Sequence, residues 1–199
     1  MKDIQKIIGV IFLLITINAA PIAAGDQQKN NSTFEQLNTQ KAFKVYARGT
    51  SYHSGDSDSA AGKTSSLTKI NDVKGRDLEC IAVDNSLIPY GSVIIGRDKH
   101  GQEIIGVAVD TGSAVKSRKA AKQLAKKLGY PKDSPEAQAP VLDFHSRTDM
   151  THYWDHFIVI PYTGPDFKFS LSKKEKLAYL DEVKKQYVDK TPTRLLASL

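Results

Sequence analysis

Three aspartates stand where short apolar runs end. Asp84 follows Cys80–Val83, Asp110 follows Ile104–Val109, and Asp143 follows Val141 and Leu142. A carboxylate at the end of a buried strand is unfavourable unless water, a partner or a substrate compensates it. Three such residues in one small domain point to a cleft lined by carboxylates, and such a cleft can run acid–base chemistry.

Two other chemistries compete for these residues. Val109–Ala114 reads Val-Asp-Thr-Gly-Ser-Ala, and Asp-Thr-Gly is also the active-site string of aspartic proteases. Those enzymes need two such aspartates sharing one proton. This chain has one, and its apolar run ending in glycine, Val93–Gly96, precedes the aspartate instead of following it. The second competitor is zinc. His145, His152 and His156 fall in one stretch with Asp149 and Asp155, and the last two histidines would share a face if the stretch were helical. Phe157–Pro161 reads as a strand, however, with Trp154 as its anchor. The histidines are therefore expected as surface or hydrogen-bonded groups, and His53, Asp56 and Asp58 as turn formers. No metal and no cofactor is assigned.

The elements that must position the aspartates are short strands. Alternation begins at Phe43–Ala47, and further strand-like segments cover 79–83, 92–96, 103–109, 141–144 and 157–162. Turn signals at Ile88–Gly91 and Asp98–Gly101 separate them, and their density predicts a mainly β fold, a compact barrel. Two helices are expected. In the basic segment 115–129, Ala121, Leu124, Ala125 and Leu128 form a narrow apolar stripe, and Gly129 and Pro131 stop it. Near the C-terminus Ser172 and Glu175 form a capping box, followed by a stripe of Leu177, Leu180, Val183 and Tyr187.

Composition bounds the partners. The net charge is +6, and Lys116–Lys127 holds six basic residues and no acid. This run is either a solvated helix face or a surface for an anionic polymer. Without interleaved aromatics, nucleic acid is not expected. Lys2 and Lys6, the apolar stretch Ile7–Ile17 and the small residues 19–25 form a secretory signal pattern, too short for a comfortable span, with an uncleaved N-terminal anchor as the alternative. The expectation is a periplasmic or secreted monomer, without stable membrane insertion after cleavage. The lone Cys80 is expected as a buried structural thiol.

Several motifs in one order carry a resemblance: Tyr46–Tyr52 and Ala61–Thr64, then Ala82–Ser92, Val109–Lys116 and Leu142–Phe144. Over residues 43–163 the chain resembles the three-aspartate (3D) domain of the membrane-bound lytic transglycosylase A family and related exported cell-wall proteins. The resemblance implies a six-stranded double-psi β-barrel that cleaves the β-1,4 bond between N-acetylmuramic acid and N-acetylglucosamine without adding water. It implies Asp143 as the acid/base, Asp110 as its neighbouring carboxylate and Asp84 at the cleft wall. Thr50, Tyr52, Thr111, Gly112 and Lys116 would line the groove along which peptidoglycan glycan strands bind. Two departures stand out: a 115–140 insertion between the second and third aspartates, and Ser117 where glycine is usual. The expected order is thus a signal peptide (1–24), a flexible leader (25–42), the barrel (43–163) and a helical extension (164–199). The alternative is a non-catalytic barrel that binds cell-wall glycan or a protein partner.

Overall fold

The structure, a computed structural model, describes residues 41–53, 62–117 and 119–190. The expected signal peptide and nearly all of the leader lie outside these residues. Six strands, several of them apolar on both faces, form the sheet: β1 (Phe43–Tyr52), β2 (Glu79–Ala82), β3 (Val93–Arg97), β4 (Glu103–Asp110), β5 (Val141–His145) and β6 (Tyr153–Ile160). They close into a barrel in the order β1-β5-β2-β4-β3-β6. The pairs β1/β5 and β2/β4 are parallel, and the other four are antiparallel. Closure leaves no unpaired sheet edge. The fold is a closed, mixed six-stranded barrel, mainly β, with a helical insertion and a C-terminal helix.

Alternate side chains fill the barrel. Ala47, Ile81, Ile94, Ala108, Leu142, Phe144, Phe157 and Val159 form its interior cluster. Gly49 serves this packing by being small, because a Cβ there would stand 2.5 Å from the Met150 carbonyl oxygen. The opposite set, including Cys80, Val93, Ile95, Val107, Val109, Ile158 and Ile160, forms a second apolar layer outside the barrel. Two helices cover that layer: α1 (Ile70–Lys74), and α5 (Lys173–Val183), which a π-helical turn extends to Val188. The capping box of α5 forms as expected from Ser172 and Glu175. Its buried face is Tyr179, Leu180, Val183 and Tyr187, with Lys176 at its start, and Leu177 lies at its margin. Tyr179 was absent from the expected stripe, yet it is fully buried and donates to the Gly91 carbonyl. Cys80 is buried as expected, its thiol pushed up to about 12 by desolvation.

The basic insertion forms two helices in place of the single expected one, α2 (Ser113–Ser117) and α3 (Lys119–Lys127). Leu128, expected in the apolar stripe, is 52% exposed, while Ala125 is buried. The proline-bounded stretch after it holds a further short helix, α4 (Pro135–Gln138), whose N-cap is Ser134. Trp154 anchors the insertion to the barrel: its indole nitrogen donates to the Glu136 carbonyl at 3.2 Å, and its ring meets Tyr130. Tyr46 adds a hydroxyl bond to the Glu136 carboxylate at 3.1 Å. Among the described residues no helix is long and apolar enough to cross a membrane.

Candidate functional site

Strand register decides where the aspartates meet. On β2, Ala82 pairs with Asp143 of β5 on one side and with Asp110 of β4 on the other. The second pairing exists because the register slips at Ile81/Ala82, so that Ala108 opposes Ile81 and Val109 is skipped. Such a bulge places an extra residue against its partner and re-aims the side chains that follow. Without it Ala82 would face Val109, and Asp110 would belong to the opposite face. With it Asp143, Ala82 and Asp110 form one row on the outside of the barrel. Two strand spacings separate the aspartate Cα atoms, about 9–10 Å.

Both carboxylates are held. Oδ1 of Asp110, in a residue only 4% exposed, accepts from the Ser65 amide (2.8 Å), the Ser65 hydroxyl (2.6 Å) and the Thr111 amide (2.9 Å). Oδ1 of Asp143 accepts from the Thr50 hydroxyl at 2.5 Å, across the parallel β1/β5 pair that aligns these two residues. Arg48 lies on the same outer face of β1, two residues before Thr50. It is buried with its guanidinium 5.6 Å over the Trp154 ring, and the Asp143 charge favours its cationic form against the desolvation that lowers its pKa.

Tyr52 ties the row together. Its ring packs with Ala82, Val115 and Val141 and meets the His145 ring edge-on. Its hydroxyl is buried, with Asp110 in reach but no well-formed hydrogen bond to any described residue. Burial first, then the charges of Asp110, Cys80 and Asp143, push the phenol far above its ordinary range, so it stays a neutral donor. The Thr111 hydroxyl and Arg48 Nε are likewise buried and unpartnered. Three orphaned polar groups around two carboxylates are unusual in a folded protein, where buried polar atoms normally pair.

Of the residues expected to form the site, Asp110, Asp143, Thr50, Tyr52 and Thr111 come together on this face. Asp84 forms a local turn, accepting from the Ser86 amide and hydroxyl at 3.1 and 2.6 Å. The Gly112 carbonyl receives the Lys116 amide at the start of α2, and the Lys116 side chain is exposed. Ser65, Arg48 and Val115 were not anticipated. Arg48 was legible, because it shares the outward alternation of Thr50 and Tyr52; nothing in sequence pointed Ser65 at Asp110.

The insertion partly covers the row. Val115 of α2 is buried in one small apolar cluster with Val141 of β5 and Ala82, the residue between the two aspartates. Its lysines gather elsewhere: Lys122, Lys126 and Lys132, with Tyr130, line a cavity of about 720 Å³ between α3 and α4. The three histidines of the zinc reading each have a different partner. His145 is buried beside Tyr52, His152 meets Arg48 at 3.3 Å, and the His156 ring sits tilted against Tyr46. The helix that would have aligned the last two is a strand, and His152 turns into it with a φ of 58°. Among the described residues no group of three or more His, Cys, Asp or Glu side chains could hold a metal ion.

No family model, no curated protein and no solved structure matches this chain.

Proposed function

We propose that this chain is an exported lytic transglycosylase of the three-aspartate, double-psi barrel kind, acting as a monomer on peptidoglycan glycan strands. The observation that carries the reading is the register that sets Asp143 and Asp110 on either side of Ala82. In this mechanism the Asp143 carboxyl gives its proton to the glycosidic oxygen as the C1–O bond breaks, through an oxocarbenium-like transition state. The resulting carboxylate then takes the proton of the sugar's own 6-hydroxyl while that oxygen bonds to C1. The 1,6-anhydro ring closes, the proton count returns to its start, and no water enters. Holding both reacting groups on one sugar makes the second step intramolecular.

The neighbours have separable tasks. Thr50 fixes the Asp143 carboxyl against β1. Asp110, fixed by Ser65 and Thr111, supplies negative charge that stabilises the developing cation. The unpartnered Tyr52, Thr111 and Arg48 groups await polar substrate atoms. Lysines around the insertion cavity fit muramic and stem-peptide carboxylates.

Incubation with purified sacculi and mass spectrometry of the products tests this. The expected products carry anhydro ends, and Asp143→Asn lowers their rate at least about 100-fold with an unchanged melting temperature. Reducing ends alone would overturn the reaction type. The burial of Val115 in the cluster that includes Ala82 favours a second reading, a barrel that only binds glycan. Binding to sacculi without released fragments would select it.

A further inference from the structure

On the α5 side of the molecule, two well-formed turns each hold one large apolar side chain out in solvent. Phe169 is 76% exposed, whereas Phe167, two residues earlier, is 3% exposed. The turn between them is fixed by Asp166, whose carboxylate accepts the amides of Lys168 and Phe169, both at 2.8 Å. Leu67 is 56% exposed and sits at a φ of 64°, a left-handed conformation unfavourable for a branched side chain. Its turn is locked by Thr64–Thr68 backbone bonds and by linked hydroxyls of Thr64, Ser66 and Thr68. Single exposed apolar residues are ordinary; two on one rim, each presented by an ordered turn, are not.

The rim is strongly cationic. Leu67 and Phe169 border a shallow cavity of about 400 Å³ whose walls carry five lysines against one carboxylate, Asp72. Lys63, Lys69 and Lys173 are exposed, and the Lys168 ammonium lies 4.9 Å from the Phe169 ring centre. The fifth, Lys176, is 5% exposed and ties the two turns together, donating to the Ser66 carbonyl at 2.8 Å and the Lys168 carbonyl at 3.0 Å.

We propose that this surface docks on an anionic phospholipid membrane. The lysines meet the lipid phosphates while Phe169 and Leu67 enter the interfacial layer. Charge complementarity selects an anionic partner, since lysines near such a surface are each attracted to it. The apolar tips select a bilayer over a soluble polyanion, which would gain nothing from a phenyl ring and an isobutyl group aimed at it. The assignment is independent of glycan cleavage.

A site-specific probe tests it in the full chain, where the N-terminal apolar stretch alone could hold protein on vesicles. Phe169→Cys carries an environment-sensitive fluorophore, with Leu128→Cys on the insertion as reference; Cys80 is buried and does not compete for label. Vesicles with 30% phosphatidylglycerol are expected to blue-shift the probe at 169 and leave the probe at 128 unchanged, with little response to pure phosphatidylcholine. Lys168→Glu with Lys173→Glu should raise the lipid concentration needed by at least about tenfold. Equal shifts at both positions, no shift at 169, indifference to the lysine changes, or an equal response to soluble polyphosphate would each overturn the proposal.

Discussion

The outer surface of β2, β4, β3 and β6 and the outer surface that runs from β1 through β5 to the end of β2 belong to one barrel, but they are finished in opposite ways. The first carries Val93, Ile95, Val107, Ile158 and Ile160 under α1 and α5, and its buried Tyr179 donates to a backbone carbonyl. Among the described residues there, the Tyr187 hydroxyl and the Gln186 amide oxygen are buried without a partner. The second carries Arg48, Thr50, Tyr52, Asp143, Asp110 and Thr111, and Arg48 Nε and the Tyr52 and Thr111 hydroxyls make no well-formed bond to a described residue. Its cover is the five-residue helix α2, seated through Val115. One surface is organised for stability. The other holds groups that a stable core would exclude, which is the usual mark of a place kept for a ligand.

Removing the aromatic at the centre of the first surface should break the contrast most strongly. Tyr179→Ala is expected to lower stability by about 3–5 kcal/mol, measured by chemical denaturation. An effect below 1 kcal/mol would mean that α5 is not part of the core. Val115→Ala should cost about 1–2 kcal/mol and loosen only its own helix. Hydrogen exchange is then expected to quicken over 113–117 and stay unchanged over α5; a uniform increase would join the two covers into one cooperative unit. Tyr52→Phe removes a buried hydroxyl that makes no well-formed bond to a described residue, so it should leave stability unchanged or raise it by up to about 1 kcal/mol. A clear loss would reveal a structural bond from that hydroxyl.

The shallowest effect is in pH. Burial first, then the nearby Lys74 and His53 charges, hold the His145 imidazole below its ordinary value. The unfolded chain therefore binds the proton more readily, so this contribution is present above about pH 6.5 and is lost as the pH falls. His145→Gln should flatten stability between pH 7.5 and 5.5. A slope that persists unchanged would assign it to other groups.

How much of this was legible in sequence depended on whether the signal was local. The run Val93–Ile95 announced a strand buried on both faces, and β1 alternates openly between Ala47 or Gly49 and Arg48 or Thr50. Turns at Gly91 and Gly101 take the positive φ that their glycines allow. The short helices α1 and α4 gave too few residues for a periodicity to register. Tyr179 escaped because Lys176 interrupts the apolar face where a leucine would normally continue it. The decisive fact, that Asp110 and Asp143 flank Ala82, depends on one bulge and two long-range pairings. No local pattern encodes a bulge between Ile81 and Ala82.

The strand order also sets when the site can come into being. β1 finds its partners only in β5 and β6, so the first strand made is clasped by the last two. A chain emerging N-terminus first therefore cannot close the barrel until about residue 160 is free, and non-local closure of this kind is slow. Thr50 meets Asp143 only once β5 has been made, shortly before that closure. A truncated or partly emerged chain has both residues but not their pairing, so any chemistry built on that pairing is confined to molecules that have finished folding.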